Sequence, residues 1–164
     1  MRGKVDMKSK KTLAIVAVVI VFIFVLVNLL KKDLWDVNAD LLQEEVLAIE
    51  QSVETVNLSD ITPFEWDVAY SFDPYTTKDT IYETVGYKWD NISETVSEGM
   101  NQIVFLKDEK VVCYLYGYPQ NIGYGIYFTS QSKKGATSSS ILSIKDDLIF
   151  EVIRSDDVVI LSNN

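Results

Sequence analysis

Carboxylates are the side chains whose number and spacing come closest to supporting a reaction. Five of them fall near one predicted strand and the segment that follows it: Glu65, Asp67, Asp73, Asp90 and Glu94. A glycosidase uses two carboxyl groups at a set separation, one of them in an apolar pocket. Carboxylate oxygens could also bind calcium, for which Asp73, Asp90 and Asp108 are the candidates. Strand alternation places Glu65, Asp67 and Asp73 on the solvent face, which favours a solvated surface over catalysis.

The composition excludes several common chemistries. The chain has no histidine and a single cysteine, Cys113, so Ser-His-Asp and Cys-His catalysis, His-ligated zinc and an intrachain disulfide are all excluded. Neither a phosphate-binding glycine loop nor an EF-hand loop occurs. Cys113 lies in an apolar segment, where the role of a small buried hydrophobe is expected. We therefore assign no catalytic, cofactor-binding or metal-binding residue, and expect no cofactor.

Aromatic residues are the stronger candidates for a functional surface. Tyr114, Tyr116 and Tyr118 alternate along a predicted strand and so share one of its faces. If exposed, that face would be a platform for a sugar, a peptide or another protein; if a helix covers it, it belongs to the core. The predicted partner-binding aromatics are these three tyrosines and, near predicted turns, Tyr75, Tyr87 and Trp89.

Hydropathy patterns predict the elements that position these side chains. A strand with a period of two runs from Phe64 to Phe72, and a short helix capped by Thr76 or Thr77 ends at Val85 before Gly86. A hairpin follows, with strands over residues 103–106 and 111–118 and its turn over 107–110. Further strands are predicted over 124–128, 148–153 and 158–161, and a polar, Ser-rich loop over 129–140.

A helical pattern precedes these strands, over residues 36–56. Its apolar residues repeat at spacings of three and four: Trp35, Ala39, Leu42, Val46, Ile49, Val53 and Val56. Such a seam could form a homodimeric coiled coil through residues 35–56. Additional apolar residues widen the stripe, which is typical of a helix that packs on its own domain, and we favour that packing. The predicted fold class is α+β, with this helix and a short second helix on an antiparallel sheet of five or six strands.

The most apolar segment covers residues 12–30 and contains no charged side chain. A helix of about 20 apolar residues can cross a bilayer, and five basic residues before the segment against two after it predict a cytoplasmic N-terminus. The predicted organisation is a basic tail over 1–11, a transmembrane helix over 12–30, a juxtamembrane amphipathic helix over 31–60 and an extracytoplasmic domain over 61–164. Secretion after cleavage near Ala39 is the alternative.

The charge balance of the remainder limits its partners. Residues 33–164 contain 23 Asp and Glu against eight Lys and Arg, so a nucleic-acid partner is not expected. The scarcity of cysteine is typical of bacterial envelope proteins rather than of secreted domains held by disulfides.

Several short blocks between residues 64 and 125 suggest relatives. They include the sequences FEWD from Phe64, FDPYT from Phe72, EGMN from Glu98, VFLKDEKVV from Val104 and PQN from Pro119. With these blocks the chain resembles an uncharacterised family of small exported or membrane-anchored bacterial proteins, Gram-positive ones in particular. The resemblance implies an envelope location and transfers no catalytic residue. Where that family often has glycine after the hairpin aspartate, this chain has Glu109, which disfavours a two-residue primed turn.

Together these observations lead to one expected function and one alternative. We expect a non-enzymatic, membrane-anchored binding or modulating module of the bacterial envelope, in contact with the lipid bilayer through residues 12–30 and with a protein partner at the membrane surface. The alternative is a carboxylate-dependent hydrolase that acts on cell-wall or extracellular sugars.

Overall fold

The computed structural model describes residue 12 and residues 15–23, 32–129 and 139–163. The chain divides into two compact units, Met1–Asp33 and Leu34–Asn164. In the first unit, residues 15–23 are helical and their side chains are exposed. The elements that carry labels below all belong to the second unit.

The prediction of a single-pass membrane protein is overturned. Among the residues that the structure describes, no helix is both long enough and apolar enough to cross a membrane. This finding corrects the prediction of a transmembrane signal anchor over residues 12–30 and of a single-pass localisation. Residues 13, 14 and 24–30 of that segment lie outside the described part of the chain. Ala39, the alternative cleavage point, lies inside a helix of the second unit.

The second unit contains four helices and eight strands among its described residues. The helices are α1 (Leu34–Leu47), α2 (Leu58–Ile61), α3 (Lys78–Val85) and α4 (Pro119–Ile122). The first four strands are β1 (Thr55–Asn57), β2 (Val68–Phe72), β3 (Asn101–Lys107) and β4 (Lys110–Gly117). The others are β5 (Tyr124–Phe128), β6 (Ser139–Ser143), β7 (Ile149–Ser155) and β8 (Val158–Asn163).

The fold is α+β, but the strands form two sheets where the sequence predicted one. The orders are β1-β7-β8-β5 and β4-β3-β2-β6, which we call the first and second sheets. All pairs are antiparallel except the parallel pair β5–β8. Strand β1 was missed because its three residues lie inside the predicted helical seam. Strand β6 was missed because it lies in a serine-rich segment that lacks strand periodicity. Of the predicted loop over 129–140, residues 130–138 lie outside the described part of the chain, and residues 139 and 140 begin β6.

Helix α1 packs against its own unit, as favoured from the sequence. Leu42 and Val46 are fully buried in a cluster that contains residues of both sheets, which we call the first core cluster. Polar contacts also hold the helix, since Asn38 Nδ2 donates to Val112 O at 2.8 Å and Gln43 Nε2 donates to Ile122 O at 2.7 Å. The helix ends at Leu47, earlier than predicted, and the chain continues into β1.

A core cluster packs against each face of β2, which corrects the prediction of a wet face on this strand. Ala69 is fully buried in the first core cluster, with Trp66. Phe72 points into a cluster on the opposite face, which we call the second core cluster, and Val68 and Tyr70 pack against that cluster. A central strand covered on both sides does not show a polar face, so the solvent-facing carboxylates predicted on this strand are confined to its ends.

Helix α3 covers the outer face of the second sheet and has the predicted ends. Thr77 is its N-cap, with Oγ1 accepting from Thr80 N at 3.4 Å. Gly86 ends the helix in the left-handed conformation, φ 95°, and its N–H donates to Tyr82 O at 2.8 Å. This is the conformation that glycine adopts without steric cost. Ile81 and Val85 face the sheet and are buried.

Candidate functional site

Four aromatic rings pack together over β4 and form what we call the aromatic cluster: Trp35, Trp89, Tyr114 and Tyr116. The Trp35 and Trp89 ring centroids lie 5.2 Å apart at an interplanar angle of 87°, and those of Trp89 and Tyr114 lie 5.3 Å apart at 88°. Tyr114 and Tyr116 are stacked, 5.7 Å apart at 22°. The predicted tyrosine face of β4 is therefore largely covered, and only 8% of Tyr114 is exposed.

Hydrogen bonds hold the two tyrosine rings of this cluster in place. Tyr114 Oη accepts from Ser93 N at 3.1 Å and from Gln102 Nε2 at 2.9 Å, while Tyr116 Oη donates to Glu94 O at 2.8 Å. Burial raises the pKa of Tyr114 to about 12. Its hydroxyl therefore stays protonated near neutral pH, and these hydrogen bonds fix the orientation of both rings.

The other three predicted aromatics do not join the cluster. Tyr87 Oη accepts from Val111 N at 2.9 Å, so this half-buried ring is held against β4. Tyr75 is 63% exposed and has a positive φ of 67°. Tyr118 lies just beyond β4, where it precedes α4. The six predicted residues therefore do not form one platform.

A cleft of larger volume lies instead between the β3–β4 turn and the end of α3, and we call it the hairpin cleft. Its volume is about 1050 Å³, slightly above the range of roughly 300–1,000 Å³ usual for ligand pockets. Apolar groups form much of its lining: Val68, Tyr70, Val85, Tyr87 and Leu106. Three carboxylates and one lysine also line it: Asp67, Asp108, Glu109 and Lys110. An apolar floor with an acidic rim suits a ligand that is both apolar and cationic.

Asp67 fixes one wall of this cleft. Its Oδ1 accepts from Lys107 Nζ at 2.8 Å and its Oδ2 accepts from Asp108 N at 2.9 Å. The hydrogen bond from Lys107, followed by that from the Asp108 amide, lowers the pKa of the Asp67 carboxyl below its ordinary value. Asp67 therefore remains an anion, and its shift is opposite to the raised pKa that a general acid needs.

The β3–β4 turn places two more carboxylates at the mouth of the cleft. Lys107 pairs with Lys110, so Asp108 and Glu109 are the two turn residues, and both have positive φ, 47° and 61°. This is the backbone of a type I′ turn, which matches the twist of a hairpin. The hairpin is confirmed, and the primed turn forms although Glu109 occupies a position that glycine prefers.

The remaining candidate carboxylates do not line the hairpin cleft. Glu94 Oε1 accepts from Lys78 N at 2.9 Å, next to the start of α3. Asp73 lines a different groove, and Asp90 and Glu65 are exposed. In the described ranges, no three His, Cys, Asp or Glu side chains are grouped so that they could share a metal ion. Cys113, fully buried, has its pKa raised by burial, which disfavours the nucleophilic thiolate.

The hairpin cleft was not predicted from the sequence. Asp108 and Glu109 were recognised as turn residues, but the end of α3 reaches them only through the packing of the second core cluster. Comparison with family models, with curated proteins and with solved structures gave no match to this chain.

Proposed function

We propose that this protein is a non-enzymatic binding module that holds a basic, apolar segment of a protein partner in the hairpin cleft. The observation that carries the proposal is an apolar floor beside two exposed turn carboxylates, Asp108 and Glu109, in one cleft of about 1050 Å³. Charge complementarity at such a rim favours encounter with a cationic partner and selects against an acidic one.

The floor supplies contact area rather than chemistry. Val85 and Leu106 are almost fully buried, at 5% and 3% exposure, so they lie at the bottom of the cleft and contribute little accessible surface. Val68 and Tyr70 are half-buried and present more accessible surface. Burying that surface yields about 25 cal/mol per Å² before the costs of association are subtracted.

The hydrolase alternative has less support. Inverting and retaining glycosidases both need a carboxylic acid that is protonated near neutral pH. Asp67, the carboxylate with the most defined surroundings in the cleft, has a lowered pKa because of Lys107. Asp108 and Glu109 lie in the two-residue turn and are exposed, which is not the apolar pocket that raises a carboxyl pKa.

Peptide binding to the full chain tests the proposal. The probes are a five-residue peptide of alternating lysine and leucine and its counterpart of alternating glutamate and leucine, followed by backbone amide NMR. We expect the lysine peptide to shift the amide signals of Gly86, Leu106 and Lys110, and the glutamate peptide to leave them in place.

Two matched variants isolate the acidic rim. Asp108→Asn with Glu109→Gln should weaken binding of the lysine peptide by about three- to tenfold, as expected for the loss of two exposed charge pairs. Asp156→Asn with Asp157→Asn removes the same charge from the β7–β8 turn and should leave the affinity unchanged. Equal binding of both peptides, or equal loss in both variants, would overturn the proposal.

A further inference from the structure

The first sheet has one face that neither core cluster covers. Side chains alternate between the two faces of a strand, and Phe150 and Leu161 point into the first core cluster. The residues that alternate with them on β7 and β8 point to the opposite side, and none of them belongs to either core cluster. We call the following five residues the open face: Ile149, Glu151, Ile153, Val158 and Ile160.

The apolar side chains of the open face are accessible. Ile149 is 50% exposed and Ile153 is 48% exposed, and Ile153 lies opposite Ile160 in the β7–β8 ladder. Directly opposed residues on one face of a sheet lie side by side. The isoleucines therefore present a surface that extends about 13 Å along β7.

Pro119 and Tyr127 close the β5 side of this surface. A Cβ on Gly125 would lie 3.0 Å from Pro119 Cγ, 3.0 Å from Tyr127 Cε2 and 3.2 Å from Ile160 Cδ1. These side chains therefore fill the space above β5, and the accessible part is the strip over β7 and the neighbouring side of β8. Strands lie about 4.8 Å apart, so a strip of two strands has about the width of one helix.

A single carboxylate lies in the middle of this strip. Glu151 is exposed and stands between the two exposed isoleucines along β7. Its neighbours on the adjoining strands are Thr55 and Ser162, which are uncharged. Its carboxylate makes no hydrogen bond or ion pair with any residue that the structure describes. The carboxylate is therefore accessible to a cation from outside.

The five residues of the open face include no cation. Arg154, the basic residue of β7, points to the opposite face, where it donates to Val53 O at 3.1 Å and to Glu50 O at 2.7 Å. A second copy of the chain seated on this face would bring another Glu151 and no cation, and like charges that face each other are destabilising. Charge complementarity therefore favours a different partner, which supplies both apolar side chains and a cation.

We propose that the open face binds an amphipathic helix of a partner protein, whose apolar stripe surrounds one lysine or arginine. A helix satisfies its own backbone hydrogen bonds, whereas an extended segment lying on a sheet face would leave its N–H and C=O groups unpaired. Side chains at positions i, i+3 and i+7 of a helix share one face over about 10 Å. Apolar side chains at the ends of that row contact Ile149 and Ile153 while the central cation pairs with Glu151.

Three peptides that differ at one position test the proposal on the full chain. Each is an alanine-rich peptide of about 18 residues, long enough to be helical in water, with leucines on one face. The central position of that face is lysine, glutamate or norleucine. We expect the lysine peptide to bind most tightly and the glutamate peptide most weakly, with the norleucine peptide between them. In backbone amide NMR, the lysine peptide should shift the signals of Ile149, Ile153 and Ile160.

Matched variants separate the charge from the apolar surface. Glu151→Gln should weaken binding of the lysine peptide by about two- to fivefold, the range for one exposed charge pair, and leave that of the norleucine peptide unchanged. Ile149→Thr with Ile153→Thr should weaken binding of both peptides by about three- to tenfold, because less apolar area is buried. Threonine keeps the β-branched side chain that suits a strand, and thermal denaturation checks that this variant is folded.

Two control variants locate the site. Glu45→Gln removes an exposed charge from α1 and should leave the affinity unchanged. Asp108→Asn with Glu109→Gln should not alter the shifts of the open-face signals, so failure of this proposal and failure of the hairpin cleft are distinguishable. Equal affinity for the lysine and glutamate peptides, or unchanged affinity in the isoleucine variant, would show the proposal to be wrong. A dimer of the free chain that the isoleucine variant abolishes would also do so, because a second copy would then be the occupant.

Discussion

The side chain of Asn101 pairs with both backbone groups of Ile126. Asn101 Nδ2 donates to Ile126 O at 2.9 Å, and Asn101 Oδ1 accepts from Ile126 N at 2.9 Å. Asn101 begins β3 of the second sheet, whereas Ile126 lies in β5, an edge strand of the first sheet. The side-chain amide of Asn101 therefore joins the two sheets. It satisfies the N–H and C=O groups of Ile126, which at this edge of the first sheet would otherwise have no partner strand.

Replacing Asn101 with alanine should destabilise the protein by roughly 2–4 kcal/mol, because two buried backbone groups lose their partners and each orphaned group costs about 1–3 kcal/mol. Urea denaturation measures the change. Asn163→Ala is the matched control, since Asn163 Nδ2 donates to Asp147 O and Ile149 O at an exposed site where water can replace it. Equal losses in the two variants would contradict the special role of Asn101.

Glycine in place of Glu109 should stabilise the hairpin. Glu109 has a φ of 61°, and a left-handed backbone costs a residue with a side chain roughly 1–2 kcal/mol. Glycine also gains freedom in the unfolded chain, so a net increase of about 0.5–1 kcal/mol in the free energy of unfolding is expected. Thermal denaturation of Glu109→Gly beside Glu109→Ala separates backbone relief from loss of the carboxylate, since alanine should bring no gain.

The Asp67–Lys107 pair should make stability depend on pH in a defined direction. The pKa of Asp67 is lowered from 3.8, so its contribution is present above that value and is lost as the pH falls through the lower folded pKa. The pKa of Lys107 is raised from 10.5, so its contribution is present below that value and disappears as the pH rises through the higher folded pKa.

Melting temperatures of the wild-type protein and Asp67→Asn across the pH range check this prediction. The difference between them should be constant near neutral pH and should shrink in acid, where Asp67 is protonated in both states of the wild type. A difference as large at pH 2 as at pH 7 would show that the asparagine acts through something other than the lost charge.

Cys113 should resist alkylation until the protein unfolds. Its side chain is fully buried and burial raises the pKa of its thiol, so both access and thiolate are missing in the native state. Mass spectrometry after iodoacetamide treatment should show no adduct in native buffer and one adduct in denaturant. Because the chain contains a single cysteine, rapid native labelling would indicate local opening of β4.

The elements whose own residues carry a clear strand pattern or helix-capping signal were predicted from the sequence. Strand β5 has the bounds predicted from the sequence, residues 124–128, and α3 begins after a threonine cap and ends before a glycine. Strand β1 was hidden because Val56 continues a helical seam, and its strand conformation depends on pairing with Phe150. Pairings that distant in sequence override local propensity.

The sites were harder to predict than the elements. The sequence identified Tyr114 and Tyr116 as neighbours on one face, and the structure confirms this, but the covering rings of Trp35 and Trp89 come from segments far away in sequence. The bond between Asn101 and Ile126 likewise depends on how two sheets meet. No spacing rule along the chain encodes such a contact.

The central position of the β7–β8 hairpin in the first sheet also sets an order of events during translation. Asn57 pairs with Ile149, and Tyr124 pairs with Val159, so β1 and β5 leave the ribosome long before either has a neighbour in its own sheet. Long-range pairing of this kind folds slowly, and unpaired strands are the segments that chaperones bind and that aggregate. The first sheet should therefore close late, after the β7–β8 hairpin has left the ribosome.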